Sequence, residues 1–470
     1  MIIKKEIQPF GIRDKLGYLF GDFGNDFTFI LSSSFLLKFY TDVMHVSAGV
    51  VGIVMMLSRF VDAFTDVTMG RICDRSRPTK NGKFRPWIIR MCAPVAIASF
   101  LIYQSGFATS PMWFRILWLT VTYILWGSIF YTSINIPYGS MASTISRDPH
   151  DRQSLSTFRT MGSTLAGVIV GAGVPLIAYD TRIVDGVEIA EMNGPRFTFI
   201  AGIFSILAII TYLLCYVMTS ERIIPEKTAD RQKNGVKHLI VGAVKNRALV
   251  SIIVASILML LSQFTLQQMA NYVYPDYYSN TTAQSASTVA MMFGMIVAAT
   301  LAKPLTKRFG KAEISVFSNL LAAAVCLALF FIRPQNVWVY VGVNVISWLG
   351  LGIFAMVSWA LITDVIDYSE IKNGVREDGS IYALYSFARK MGQAAAAGLT
   401  GLFLTLIGYE KLVGVPLPGE VKEGIFDIST LIPAIGFALL AAVLWFWYPL
   451  HKKEVLKNVA ILKEKHESED

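Results

Sequence analysis

Asp22 and Asp26, and further along Asp62 and Asp66, are pairs of carboxylates four residues apart inside stretches otherwise rich in apolar residues. Positions four apart share one face of a helix, so each pair presents two acids to the same surroundings. Two carboxylates this close in a low dielectric do not both stay ionised alone. They share a proton, hold a metal cation such as Na+, or take a guanidinium, and Arg59, three residues before Asp62, offers the last. A charged side chain in hydrocarbon costs from about 2.5 kcal/mol upward, so such residues face a wet cavity or a partner. The chemistry that suits them is passage of a cation alongside a polar solute.

Other polar residues stand at comparable depth. Tyr131, Thr132 and Asn135 precede Pro137, which removes a backbone donor and frees the carbonyl of Ser133 for an ion, a hydroxyl or water, or serves only as a packing kink. Around Asp22 and Asp26, Gly17, Gly21 and Gly24 permit close backbone approach, and Tyr18 and Asn25 add polar groups. Carboxylates that accept two hydroxyls read sugars well, and aromatic rings stack on the apolar face of a pyranose. Arg159 is either a ligand for such a solute or an anchor that snorkels to the interface. Gln263, Gln267 and Asn271 form a stripe that lines a cavity or glues helices together. In the C-terminal half, Tyr385, Ser386, Arg389 and Lys390 lie mostly on one face, after Asp364 and Asp367.

The elements that must carry these residues are membrane helices. Hydrophobic residues make up 54% of the 470 and charged residues 16%, with a mean hydropathy of +0.51. Apolar runs of about 20 residues, each able to cross about 30 Å of hydrocarbon, recur about twelve times. They begin with Leu16 to Thr41 and Ser47 to Ile72 and end with Ile381 to Ile407 and Leu431 to Leu450. Two six-helix bundles, 1–218 and 248–450, are predicted, joined by a polar linker, 219–247, and followed by a tail, 451–470. Glycine-bearing basic turns at matching places, Gly82-Lys83-Phe84-Arg85 and Arg308-Phe309-Gly310-Lys311, suggest parallel repeats that rock about a central site.

Net charge is +9, and Lys and Arg crowd alternate loops, which by the positive-inside rule predicts two cytoplasmic termini in a multi-pass protein of the cell membrane. The basic residues form no single patch, which argues against a nucleic-acid partner. The four cysteines have no paired spacing and the five histidines fall in loops or tails. No nucleophile or metal set such as HExxH is present, so an intramembrane enzyme is not indicated.

Several strings together resemble one family. Asp62-Ala63-Phe64-Thr65-Asp66, Gly82 to Trp87, Asn135-Ile136-Pro137-Tyr138-Gly139-Ser140, and Asp364-Val365-Ile366-Asp367-Tyr368 leading to Gly374-Val375-Arg376 are similar to the glycoside–pentoside–hexuronide:cation symporters. This is the melibiose-permease-like branch of the major facilitator superfamily. The resemblance implies an all-α, polytopic fold of about twelve helices in two halves. It implies a cation site of Asp62, Asp66 and Thr132, with Thr65 where the pattern has asparagine. It also implies a sugar site that includes Asp26, Arg159 and Lys390, to which Asp22, Tyr131, Asn135, Tyr385 and Ser386 are candidate additions. Arg59, Arg85, Asp367 and Arg376 are expected in gating or ion-pair contacts. Asn135, Gly139, Asn25 and Thr65 replace an aspartate, a tryptophan, a lysine and an asparagine of the melibiose-permease pattern. These departures weaken the case for α-galactosides and sodium and bring the chain closer to xyloside and glucuronide carriers.

The resulting expectation is a symporter that imports a glycoside with H+ by alternating access, with no cofactor and with the bilayer and a small glycoside as its partners. Two alternatives stand beside it: coupling to Na+, and a lysolipid carrier of the same fold, which would need an apolar lateral cavity.

Overall fold

The computed structural model describes residues 9–184, 186–223, 246–373 and 378–469. Helices dominate because long apolar stretches can satisfy their backbone groups in lipid only internally. In the first half these are α1 (Ile12–Asp42), α2 (Ala48–Arg75), α3 (Arg85–Ile102), α4 (Met112–Ile145), α5 (Pro149–Ala178) and α6 (Gly194–Met218). In the second half they are α7 (Arg247–Tyr277), α8 (Thr281–Phe309), α9 (Lys311–Ile332), α10 (Val337–Asn373), α11 (Asp378–Leu406) and α12 (Gly419–Trp447), followed by α13 (Lys452–Glu469). Among the described residues ten helices, all of α1–α12 except α1 and α11, are long and apolar enough to cross a membrane. Outward faces carry large apolar side chains such as Phe64, Phe199 and Phe331, as lipid contact requires.

The chain divides into two compact units, Met1–Arg231 with Leu404–Leu417, and Gln232–Phe403 with Pro418–Asp470. In the first unit, α1 packs along α5 and α6, α3 along α6, and α2 along α4. Two glycines show why α1 sits so close to its neighbours. A Cβ at Gly21 would overlap the Tyr138 ring, and one at Gly162 of α5 would come within 2.6 Å of the Leu19 carbonyl oxygen. In the second unit, α10 packs on α8 and α9, while α12 packs on α7 and α9.

Side-chain caps mark several helix starts. Asp148, Asn193, Asn246 and Asn280 accept from backbone N–H groups in the first turns of α5, α6, α7 and α8. The start of α3 is capped from a distance, since the Glu221 carboxylate accepts from the N–H groups of Lys83, Phe84 and Arg85 at 2.9, 2.8 and 2.7 Å.

Three features add to the sequence reading. Between α5 and α6 the chain forms a hairpin, β1 (Tyr179–Val184) and β2 (Val187–Met192), turning through Gly186 at φ +77°. Its facing acids Asp180 and Glu191 are each offset by an arginine, Arg196 and Arg182. The segment Leu404–Leu417 belongs to the first unit although it follows α11 in the chain. Its Tyr409 hydroxyl accepts from Lys38 Nζ at 2.7 Å and donates to Asp42 at 2.8 Å. Finally, most of the tail 451–470 is the helix α13. Glu313 accepts from the N–H of Lys452 at 2.8 Å, and Asn458 and Leu462 are buried.

Candidate functional site

The first unit contains two clusters of charged side chains on facing helices. In the first, α2 meets α4 where α4 widens into a π-helical stretch, Leu125–Tyr131. Such insertions change the phase of a helix locally and concentrate at functional sites. Here the widened turn ends at Thr132, and two hydroxyls four residues apart meet two acids four residues apart. Ser128 Oγ donates to Asp62 Oδ1 at 2.5 Å, and Thr132 Oγ1 donates to Asp66 Oδ1 at 2.9 Å. Gly127 faces Asp62 across this contact: a Cβ there would stand 3.9 Å from Asp62 Oδ1, an ordinary van der Waals distance. Its carbonyl oxygen lies 3.3 Å from Thr132 Oγ1.

Asp62 is buried, and its second oxygen accepts from Arg59 Nη1 at 3.2 Å. Arg59 itself lies over the Phe29 ring at 5.4 Å. The guanidinium is therefore the partner that Asp62 takes in this state. Thr65, a candidate cation ligand by sequence, is placed otherwise: its hydroxyl donates back to the carbonyls of Val61 and Asp62 on its own helix, at 3.2 and 3.1 Å. Threonine in a helix commonly bonds this way, and the shorter side chain does not reach as an amide would.

The second cluster joins α1 and α5. Arg159 Nε donates to Asp22 Oδ1 at 3.0 Å, while its side chain stays 41% exposed, and its guanidinium lies 5.3 Å from the Tyr138 ring. Thus Asp22 and Arg159 are placed together as an ion pair. Asp26 lies one turn further along α1 and is half-buried. Asn25 points the other way and accepts from the Tyr212 hydroxyl at 2.9 Å. Tyr18 and Tyr138 stack at 4.6 Å, and each hydroxyl donates to the other's backbone carbonyl. Tyr131 and Asn135 are both half-buried on α4. The Tyr131 ring stacks on Phe29 of α1 at 5.7 Å, the ring over which Arg59 also lies.

In the second unit, Tyr385 is fully buried; its hydroxyl accepts from Ser256 at 2.9 Å and its ring meets Trp359 edge-on at 5.2 Å. It is a packing residue here rather than one open to a solute. Ser386 and Lys390 are half-buried on the same helix. Asn271 accepts from Gln284 of α8 at 2.7 Å, which makes that end of the α7 stripe a helix-to-helix bond. Lys311 donates to Asp364 at 2.6 Å, and Asp367, three residues on, is half-buried.

The expected gate residues divide. Arg376 lies outside the described residues. Arg85 makes no ion pair among the described residues; its guanidinium donates to the carbonyls of Tyr216 and Asn81 at 2.5 and 3.3 Å. The nearby acid, Glu221, is engaged by backbone N–H groups instead. Sequence reasoning also passed over Ser128. The signal was available: Ser128 and Thr132 repeat the four-residue spacing of Asp62 and Asp66.

Comparison with known proteins adds an independent line. A family model described as MFS/sugar transport protein matches residues 17–452. The chain is 30% identical over 455 residues to the glucuronide carrier protein homolog of Escherichia coli (strain K12), covering 95% of this chain and 94% of that protein. It is 28% identical over 475 residues to the isoprimeverose transporter of Lactiplantibacillus pentosus, covering 100% and 94%. Its fold resembles the crystal structure of a bacterial homolog of the human lysosomal transporter Spinster, inward-facing and occupied, with a TM-score of 0.66 at 12% identity over 95% of this chain and 97% of that one.

Proposed function

The chain belongs to the MFS/sugar transport protein family, and from that premise we propose that it is a symporter of the cell membrane, importing a glycoside with a cation by alternating access. It is a multi-pass membrane transporter and not an enzyme. Both termini would be cytoplasmic, by the distribution of Lys and Arg among the loops. The observation that carries the reading is the pairing of two α4 hydroxyls with two α2 acids, Ser128 with Asp62 and Thr132 with Asp66, next to a separate Asp22–Arg159 pair. A cation at the first cluster and a sugar at the second would each favour the same closed state, and that reciprocal linkage is coupling.

Asp26, Asn135 and Arg159 are assigned to sugar hydroxyls, or to a carboxylate in the case of Arg159, and Lys390 of the second unit is assigned to the sugar through the family resemblance. The glucuronide and isoprimeverose relatives support a hexuronide or xyloside-type substrate. The coupling ion is proposed to be H+, because two acids on one helix face can share a proton without further ligands. Na+ is the second reading, favoured by one observation: the Gly127 carbonyl adds an oxygen beside Thr132 and Asp66.

The deciding experiment uses membrane vesicles with radiolabelled xylosides, glucuronides and galactosides under imposed gradients. Uptake of a xyloside or glucuronide driven by an inward pH gradient supports the proposal. Uptake driven by an inward sodium gradient with the pH gradient collapsed establishes the second reading. Galactosides alone as substrates, or accumulation under neither gradient, overturns it.

A further inference from the structure

Asp62 is buried in the first cluster. Both of its carboxylate oxygens are engaged, Oδ2 by Arg59 at 3.2 Å and Oδ1 by Ser128 at 2.5 Å. The Ser128 contact is made from within the π-helical stretch Leu125–Tyr131, the turn of α4 that lies against α2. Ser128 is fully buried at 1% exposure, and its hydroxyl has a second acceptor within reach, the Ser58 carbonyl oxygen at 3.5 Å. Thr65, beside Asp62 in sequence, spends its hydroxyl on its own helix.

We propose that Ser128 sets which cation the α2–α4 cluster accepts, by holding Oδ1 of Asp62 in a hydrogen bond that competes with an incoming metal ion for that oxygen. The inference rests on the reading that Asp62 and Asp66 hold the coupling ion. A compact metal cation needs several oxygens converging at once. At Asp62 Oδ1 it meets an oxygen that already accepts from Ser128, and at Oδ2 one that accepts from Arg59, so both oxygens offer it less than a free carboxylate would, and hydrogen bonds to a charged group are among the stronger ones. A proton needs one oxygen only and can be held on Asp66 without disturbing Ser128. The serine therefore disfavours Na+ and Li+, which draw on Asp62, more than a proton carried on Asp66. Ser128 is in this sense a positioning residue: it acts through Asp62.

The test compares Ser128→Ala, Ser128→Thr and Asp66→Asn with the unmodified chain in vesicles, measuring sugar uptake against Na+, Li+ and H+ concentration. Removing the hydroxyl should lower the half-saturating Na+ or Li+ concentration relative to that for H+ by about tenfold, or create a Na+ or Li+ response where none exists. Ser128→Thr, which keeps a hydroxyl, should retain the original cation preference. A purely structural serine would instead change the maximal rate or the amount of folded protein in Ser128→Ala with the cation ratio unmoved, and that result overturns the proposal. So does a weaker metal response in Ser128→Ala, which would make Ser128 a ligand rather than a barrier. Asp66→Asn separates the two levels of argument. If it still accumulates sugar, the assignment of the cation site fails whatever Ser128 does. If it does not, while Ser128→Ala keeps the original cation ratio, only the role of Ser128 fails.

Discussion

Tyr131 and Phe29 stack with their ring centroids 5.7 Å apart, and the face of Phe29 also receives the guanidinium of Arg59. Phe29 lies on the helix that carries Asp22, and Tyr131 on the helix that carries Ser128 and Thr132, so this aromatic pair joins an element of each cluster. A stacked pair of this kind is worth about 0.5–1.5 kcal/mol beyond simple burial. If it transmits cation occupancy to the sugar side, Phe29→Ala or Tyr131→Ala should weaken coupling more than sugar recognition. The expected outcome is gradient-driven accumulation reduced several-fold while equilibrium sugar exchange persists. Equal loss of both activities would show that the pair only packs.

Neutralising the α2 acids gives a second, sharper expectation. Asp66→Asn should abolish accumulation and preserve part of the downhill exchange, since the amide can still accept from Thr132 but cannot carry the ion. Asp62→Asn should be more damaging to folding as well, because it strands the Arg59 guanidinium at an uncharged partner. The measurement is uphill transport beside counterflow, normalised to the amount of protein in the membrane. Wild-type accumulation by Asp66→Asn would sink the cation-site assignment.

The Lys38–Asp42 ion pair yields a stability prediction that is independent of transport. Lys38 and Asp42 are 2.8 Å apart with side chains 0% and 3% exposed, and the Tyr409 hydroxyl bridges them. Breaking a buried pair by removing one partner costs about 3–5 kcal/mol, because the other charge is left uncompensated. Lys38→Met should therefore lower the thermal midpoint of the detergent-purified protein markedly. Tyr409→Phe should do so less, by about 1–3 kcal/mol of stability. A double replacement, Lys38→Met with Asp42→Leu, should recover much of the loss, since apolar substitutes for a buried ion pair are often neutral. A double variant as unstable as Lys38→Met alone would contradict this account.

How much of this was legible in the sequence follows from the kind of information each feature needs. The helices and the paired acids are local: apolar runs of spanning length and a four-residue spacing can be read directly. So could the close approach of α1, through Gly21 and its contact with Tyr138. The π-helical stretch in α4 was not legible, because one extra residue in a turn leaves no mark on an apolar pattern, and with it went Ser128. Thr65 was misplaced for a related reason: its spacing fits the site, but a short hydroxyl bonds its own backbone first. Tyr409 meets Lys38 across 371 positions of chain, a distance over which one sequence alone carries no pairing signal.

The final prediction concerns the sugar side. Asp26 stands on α1 one turn from the Asp22–Arg159 pair, and Lys390 is half-buried on α11. If both read sugar groups, a bound sugar should shield them and a cation alone should not. Single cysteine replacements at each position, in a chain whose Cys73, Cys92, Cys215 and Cys326 are changed to serine or alanine, allow this to be measured by alkylation rate. All four native cysteines are buried and free, so their removal clears the background. Transported sugar should slow alkylation at Asp26→Cys and Lys390→Cys several-fold, with saturation near the concentration that half-saturates uptake. The preference for a glucuronide over a xyloside should be stronger in the unmodified chain than in Lys390→Cys, because a carboxylate pairs with a cation and a hydroxyl does not. Because each replacement also removes the group under test, Asp26→Glu and Lys390→Arg serve as controls that keep the charge: each should bind sugar more tightly than the matching cysteine variant. Labelling that is the same with and without every transported sugar would assign both residues to structure alone.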